Sequence, residues 1–427
     1  MRVLVLGAAV SGLAAARLTV SRGDDVLLYD RRRVPAGDLT IHTGEWRTAF
    51  LDGVDLVVTS PGFPEHVGAI PEVLASGLPL VSEMEYAVAS MDVTYAAVTG
   101  TNGKTTVTSV AADMLRASGR DAVAAGNIGN ALSDVAVGDT PELLVIEASS
   151  FQLRFIDSFH PVAAAILNIA PDHLDWHRDM AEYVASKQRI FENQTAADIL
   201  VYDSDDPGAV AAVAGAPSRL VPVSGSARPS GGGGVEGDTL VIAGESYPRP
   251  SLDRAYTMDL IAAGELATNL GATSTGIGYT LATFRPGTHR RTVVGSWDGV
   301  TWVNDSKATN PHAAVASVAA YESVVLIAGG RNKGLDLAPI VASPAVRKVI
   351  GIGEAAAELE AVTDPARFLN ARDLSDAVAM ADQVARSGDT VLLAPGCASF
   401  DMFGSYIERG NEFSRLVLVA KGESNGN

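Results

Sequence analysis

One stretch constrains this chain more than any other: Thr99-Gly100-Thr101-Asn102-Gly103-Lys104-Thr105-Thr106. It follows the apolar run Tyr95-Ala96-Ala97-Val98 and precedes an amphipathic segment from 107 to about 118, so the spacing predicts a strand, a tight loop and a helix. A loop of small residues opening a helix turns backbone N–H groups toward an anion, and the helix dipole adds positive potential there. In such a loop Lys104 is placed for terminal phosphates and the Thr105 hydroxyl for a magnesium ion. The common phosphate loop, Gly-x-x-x-x-Gly-Lys-Ser/Thr, has a glycine where this chain has Val98, so the variant here is tighter. The alternative is a polar loop in which Thr101 or Asn102 simply caps the helix.

Length and composition bound what surrounds the loop. A chain of 427 residues is expected to form two or three domains, and 47% hydrophobic content with 42 glycines and 20 prolines fits an α/β protein rich in short turns. No apolar run reaches membrane-spanning length; those at 54–58 and 391–394 are strand-sized, so no membrane partner is expected. The opening Met1-Arg2-Val3-Leu4-Val5-Leu6-Gly7 reads as a strand entering a glycine turn rather than as a signal peptide, and the single Cys397 excludes an intrachain disulfide framework. A cytoplasmic location is therefore expected. A net charge of −18 argues against nucleic acid, which is bound through clustered Lys and Arg. Lysine occurs only at 104, 187, 307, 333, 348 and 421, and the first four stand in motif-like settings.

Residues 1–91 read as a Rossmann-like domain: a strand, the turn Gly7-Ala8-Ala9-Val10-Ser11-Gly12, a helix, and a second strand ending at Asp30. Ala9 stands where a dinucleotide fingerprint has its middle glycine, and its methyl group hinders close approach of a pyrophosphate. Three readings stay open for this domain: an NAD(P) site with Arg31 and Arg32 on a 2′-phosphate, a plain structural βαβ unit, or a site for another diphosphate such as a UDP-sugar near Ser11, Asp30, Arg31 and Arg32. Ser60-Pro61-Gly62 forms a later turn at the same end of the sheet.

The central domain, 92–286, carries the phosphate loop, then Gly126-Asn127-Ile128-Gly129, then an apolar strand ending in Glu147-Ala148-Ser149-Ser150. A carboxylate closing a buried strand is costly unless it pairs or binds a cation, which makes Glu147 a candidate magnesium ligand. His173, beside Asp172 after the strand at 163–168, is a second candidate. Periodicity predicts a helix over 181–193 with Tyr183, Lys187, Ile190 and Phe191 on one face. A lysine on that face is pushed toward the neutral amine, which carbon dioxide can carbamylate into an anionic magnesium ligand; the alternative is a snorkelling lysine. Ser230-Gly231-Gly232-Gly233-Gly234 reads as a flexible surface loop.

The third domain, 287–427, is also expected to be Rossmann-like, with polar loops after apolar strands: Asn304-Asp305-Ser306-Lys307-Ala308-Thr309-Asn310, Gly329-Gly330-Arg331-Asn332-Lys333, and Ala394-Pro395-Gly396-Cys397-Ala398-Ser399. Together they suit a carboxylate and a phosphate.

The loop Thr-Gly-Thr-Asn-Gly-Lys-Thr resembles that of the Mur ligases and their folylpolyglutamate synthetase relatives. The chain as a whole resembles the Mur ligase family over all three domains, and Asp-Ser-Lys-Ala-Thr-Asn at 305–310 favours its D-glutamate-adding branch. The resemblance implies an α/β chain with a central P-loop ATPase-like domain, and ATP-dependent joining of D-glutamate to UDP-N-acetylmuramoyl-L-alanine in peptidoglycan synthesis, by a monomer. It implies that Ser11, Asp30, Arg31, Arg32, Gly62, Asn127 and Ser149 hold the UDP-sugar. Gly100, Thr101, Asn102, Gly103, Lys104, Thr105, Thr106, Arg290 and Asp305 are implied for ATP. Thr105, Glu147, His173 and carbamylated Lys187 are implied for two magnesium ions, with Lys104, Glu147, His173 and Lys187 in the catalytic role. Lys307, Thr309, Lys333, Ser399 and Tyr406 are implied for the glutamate. One departure is that the family's His-Asn-x-x-Asn pattern before Arg290 is absent; its spacing puts the adenine contact on Asp259, and the nearest asparagine is Asn269. The family also implies domain closure around an acyl phosphate.

Overall fold

The computed structural model describes every residue except 36, 38, 67 and 424–427. Chain contacts divide it into two compact units, Met1–Ile169 with Trp176–Phe284, and Ala170–Asp175 with Arg285–Asn427. The first unit contains two parallel sheets and a small antiparallel one, and the second contains one mixed sheet of six strands.

The first sheet is built from β1 (Arg2–Leu6), β2 (Asp25–Asp30), β3 (Ile41–Thr43), β4 (Leu56–Thr59) and β5 (Leu80–Ser82), in the order β3-β2-β1-β4-β5. Every pairing is parallel, so its central strands are covered on both faces and read as continuous apolar runs. The chain reverses its direction of travel between β1 and β4, which leaves the loops after these two strands flanking a crevice. These loops begin at 7–9 and 60–62.

The second sheet comprises β6 (Thr94–Thr99), β7 (Ala122–Gly126), β8 (Leu143–Glu147), β9 (Ala163–Ile166), β10 (Ile199–Asp203) and β11 (Arg219–Val223), ordered β11-β10-β9-β6-β8-β7. Here the reversal lies between β6 and β9, and β8 lies on the other side of β6 with Val98 opposite Glu147. The ends of all three strands therefore surround the phosphate loop. Val107, Val110, Ala111 and Met114 on the helix Lys104–Ala117 pack into one apolar cluster with Met258, Leu260, Ile261 and Leu266 on the helix Arg254–Asn269. At about 1.5–3 kcal/mol for each large buried aliphatic side chain, this packing holds the loop's exit rigidly in place.

Three expectations change. The helix predicted from 107 begins at Lys104 in the structure, because Gly103 takes φ 84 and turns the chain into it directly. The predicted helix 181–193 runs only over Met180–Gln188, capped by Asp179, and tightens into a 3₁₀ turn over Arg189–Phe191. The supposed flexible loop is packed structure. Gly233 and Gly234 are buried, and Gly234 opens a small antiparallel sheet of β12 (Gly234–Glu236), β13 (Thr239–Ile242) and β14 (Glu245–Pro248). A Cβ on Gly232 would lie 1.7 Å from the Pro222 carbonyl oxygen, and one on Gly233 would lie 2.6 Å from Glu265 Oε1, so the glycines permit close approach rather than motion.

In the second unit, β15 (Thr292–Trp297), β16 (Val300–Asn304), β17 (Val324–Gly329), β18 (Val346–Ile352), β19 (Phe368–Asn370) and β20 (Thr390–Leu393) are ordered β15-β16-β20-β17-β18-β19. Only β15 is antiparallel. Alternate residues of β17 serve two cores, Val324, Leu326 and Ala328 on one face and Val325 and Ile327 on the other, as a doubly wound sheet requires. The loops after β16, β17 and β20 leave the same edge.

Candidate active site

Gly103, rather than Thr101 or Asn102, occupies the N-cap position of its helix. The left-handed φ favours glycine, and a Cβ there would lie 2.5 Å from Asp259 Oδ1 and 3.0 Å from Leu167 Cδ1. Asp259 thus sits against the loop. Asn269 is ten residues further along the same helix, about 15 Å away at 1.5 Å per residue, and is not part of this cluster.

The loop is held from outside by a residue that sequence reasoning missed. Asn168, just beyond β9, accepts from the Thr101 N–H with its carbonyl (2.9 Å) and from the Asn102 N–H with its side-chain oxygen (2.8 Å), and its amide donates back to the Asn102 carbonyl (3.1 Å). Lys104 Nζ donates to the Gly100 and Thr101 carbonyls at 2.9 and 3.0 Å. The Gly100 carbonyl also accepts from Lys187 Nζ at 2.8 Å. Lys187 is 2% exposed and lies 4.6 Å from the centre of the Tyr183 ring, whose hydroxyl meets Thr101 Oγ1 at 3.0 Å. Two amines therefore converge on one turn of the loop, with Thr105 and Thr106 in the first turn of the helix that follows.

Glu147 closes β8 with 2% of its surface exposed. One carboxylate oxygen accepts from Asn127 Nδ2 at 2.9 Å, and the other is buried with no hydrogen-bond partner. An unpaired buried carboxylate oxygen costs several kcal/mol, and a cation is the partner that such a group fits best. Two residues on, Ser149 caps the helix Ser150–Leu153 in a reciprocal box with Gln152.

At the crevice of the first sheet, Asp30 organises the turn: its two oxygens accept from the Ala8 and Arg32 N–H groups, each at 2.8 Å. Ser11 lies in the first turn of the helix Val10–Ser21, Arg31 and Arg32 are exposed, and Gly62 faces open space. Ser60 Oγ donates to the Leu6 carbonyl and ties the two crevice loops together.

His173 groups with the second unit, as part of Ala170–Asp175. It has φ 56, and its N–H donates to Asp172 Oδ1 at 2.8 Å. Asp172 also accepts from Lys333 Nζ at 2.8 Å and Asn310 Nδ2 at 2.9 Å. Burial pushes its carboxyl up, but the charges of His173 and Lys333 and these hydrogen bonds outweigh that and hold it below the usual range. Burial pushes the Asp305 carboxyl up, against the Ser317 hydroxyl and the charges of Arg291 and Arg290. Lys307 Nζ stands 4.0 Å from the centre of the Tyr406 ring.

Arg409 also went unread in the sequence. Fully buried, it donates to Ser306 Oγ (3.0 Å) and the Ser306 carbonyl (2.9 Å), and to the Cys397 carbonyl (3.2 Å). It thereby clips the loop holding Asp305, Lys307 and Thr309 to the loop holding Ser399, one turn of helix from Tyr406. Burial lowers its pKa to about 10 and raises that of Cys397 to about 12, which leaves Cys397 an inert thiol. Asn168 and Arg409 are single polar residues in unremarkable sequence, and no local pattern singles them out; periodicity puts Tyr183 on the face it shares with Lys187 but does not point to its contact with Thr101.

Three family models match the chain: a Mur ligase MurD-like N-terminal domain at residues 1–82, a Mur ligase middle domain at 98–229, and a Mur ligase glutamate ligase domain at 289–397. A UDP-N-acetylmuramoylalanine--D-glutamate ligase of Frankia casuarinae is 41% identical, covering 98% of this chain and 94% of the relative. The Thermobifida fusca protein of the same name is 38% identical and covers 99% of both chains. Among solved structures, a pseudomurein peptide ligase type C from Methanothermus fervidus superposes with a TM-score of 0.63 at 16% identity over 98% of this chain and 99% of that one. MurF ligase from Thermotoga maritima in complex with ADP gives 0.61 at 17% identity over 98% and 95%. At these identities the two structures support the fold alone.

Proposed function

The chain belongs to the Mur ligase family, and from that membership we propose that it is an ATP-dependent amide ligase joining D-glutamate to UDP-N-acetylmuramoyl-L-alanine in peptidoglycan synthesis. The observation that carries the chemistry is the convergence of Lys104 and Lys187 on the Gly100 carbonyl, in a loop braced by Asn168.

In this reading the alanine carboxylate of the sugar substrate attacks the γ-phosphate, ADP leaves, and the resulting acyl phosphate is opened by the glutamate amine with release of phosphate. Lys104 and the first turn of its helix meet the transferring phosphoryl group. Asp259, Arg290 and Asp305 meet the rest of the nucleotide. The first-sheet crevice, with Ser11, Asp30, Arg31, Arg32 and Gly62, takes the UDP-sugar, and Asn127 and Ser149 meet its far end. Lys307, Thr309, Lys333, Ser399 and Tyr406 orient the glutamate; Lys333 already holds a carboxylate, that of Asp172, at 2.8 Å.

The unpartnered oxygen of Glu147 fits a divalent cation. Glu147 with Thr105, His173 and Lys187 carbamylated by carbon dioxide would hold two magnesium ions, which when bound offset charge on the transferring phosphoryl group. Loss of one carbon dioxide in mass on mild acid treatment, absent in Lys187→Ala, is the expected signature of the carbamate; an unmodified native protein would remove it.

No helix among the described residues is long and apolar enough to cross a membrane, which suits a cytoplasmic monomer acting on soluble substrates. The division into domains at 91/92 and 286/287 belongs to the same proposal. Phosphate release with ATP and UDP-N-acetylmuramoyl-L-alanine tests the function. D-glutamate is expected to support it, and L-glutamate, L-alanine and meso-diaminopimelate are not; release with any of these in preference to D-glutamate would contradict the reading.

A further inference from the structure

His177 belongs to none of the groups named so far, yet only 2% of it is exposed. Its Nε2 lies 2.9 Å from Ser150 Oγ, and its Nδ1 is buried with no partner. A bare nitrogen lone pair is cheaper to leave unpaired than an N–H, so the favoured tautomer carries its proton on Nε2 and donates to Ser150. The ring is wedged among Phe151, Trp176 and Tyr183, with centroids at 5.7, 4.5 and 5.4 Å.

Its two neighbours lead in different directions. Ser150 is the first residue of the helix that Ser149 caps, three residues beyond Glu147. Tyr183 is fully buried, reaches Thr101 of the phosphate loop through its hydroxyl, and lies beneath Lys187. One imidazole thus touches both the segment that follows the carboxylate strand and the side chain that braces the phosphate loop.

We propose that His177 is a positioning residue for phosphoryl transfer: through its hydrogen bond to Ser150 and its packing on Tyr183, it fixes the segment 147–150 relative to the phosphate loop without touching substrate. The inference rests on the ligase reading above. A shift of about 1 Å between reacting groups can cost two orders of magnitude in rate, so a residue setting this spacing acts on kcat. Burial keeps the imidazole neutral, with its pKa lowered to about 4, which suits a fixed donor better than a proton shuttle.

The experiment compares His177→Phe, His177→Gln, Ser150→Ala and the double variant His177→Phe/Ser150→Ala by steady-state kinetics for ATP, sugar substrate and glutamate, with thermal unfolding alongside. Phenylalanine keeps the aromatic wedge and removes the donor, whereas glutamine restores a donor. The expected result is a fall in kcat of roughly tenfold or more in His177→Phe, with the glutamate KM unchanged, recovery in part in His177→Gln, and no further loss in the double variant. Wild-type kcat in folded His177→Phe would overturn the inference while leaving the ligase reading intact. So would independent, additive losses in the double variant. If His177→Phe does not fold, Ser150→Ala decides: undiminished kcat there overturns the inference, and a comparable fall supports it. No turnover by the unaltered chain would overturn both.

Discussion

Glu147 illustrates a side chain whose placement costs stability. Its second oxygen is buried without a partner, so Glu147→Gln, which keeps the shape and removes the charge, is expected to leave the melting temperature in metal-free buffer unchanged or raised. Turnover should fall by about two to three orders of magnitude, the scale of losing one preorganised electrostatic partner. A variant that melts earlier yet retains turnover would assign Glu147 a structural role. His177 makes a pH prediction. In the unfolded chain its imidazole takes up a proton near pH 6.5, but in the folded chain only near pH 4. Its contribution is therefore complete above pH 6.5 and is lost as the pH falls toward 4, on the order of 3 kcal/mol in all. Glu182 opposes this shift, while Lys187, Arg154 and His66 reinforce burial. Asp203, raised to about 6 by burial, works in the opposite direction over an overlapping window, so urea unfolding of His177→Phe against the unaltered chain isolates the histidine. The difference between the two should shrink steadily from pH 6.5 to 4; a difference independent of pH would refute the assignment.

Among the elements, Gly233 and Gly278 show two uses of the same residue. Gly233→Ala must displace Glu265, Ile261 or the Val241 carbonyl, and is expected to cost about 1–3 kcal/mol in urea unfolding. Gly278, within the helix Ser274–Thr283, meets only Tyr247 at ordinary contact distance, so Gly278→Ala is expected to stabilise by roughly 0.5–1 kcal/mol. A neutral Gly233→Ala would restore the reading of this segment as a flexible loop. The same contrast explains what the sequence could and could not reveal. Parallel strands such as β1, β6 and β8 are buried on both faces and read as apolar runs, and Lys104, Asp30 and Glu147 were visible because they stand at the ends of such runs. The antiparallel sheet at 234–248 was hidden because four glycines look the same whether they confer freedom or close approach. Asn168 and Arg409 were hidden, and so was the contact of Tyr183 with Thr101, because these roles lie in contacts with residues far away in sequence, to which no local periodicity points.

For the whole molecule, the three large sheets each present loops at one edge, and the proposed reaction draws on loops from all three. Of the chain's six lysines, Lys307 and Lys333 stand in the loops after β16 and β17, Lys104 opens the helix that follows the phosphate loop, and Lys187 reaches that loop's Gly100 carbonyl from the helix Met180–Gln188. In the proposed reaction the phosphate loop serves to activate a carboxylate rather than to hydrolyse ATP. Transfer of oxygen tests it most directly. With ¹⁸O in the alanine carboxylate of UDP-N-acetylmuramoyl-L-alanine, ATP and D-glutamate, one labelled oxygen is predicted to leave in the inorganic phosphate for every amide bond formed. Phosphate free of label, with amide formed, would rule out an acyl phosphate.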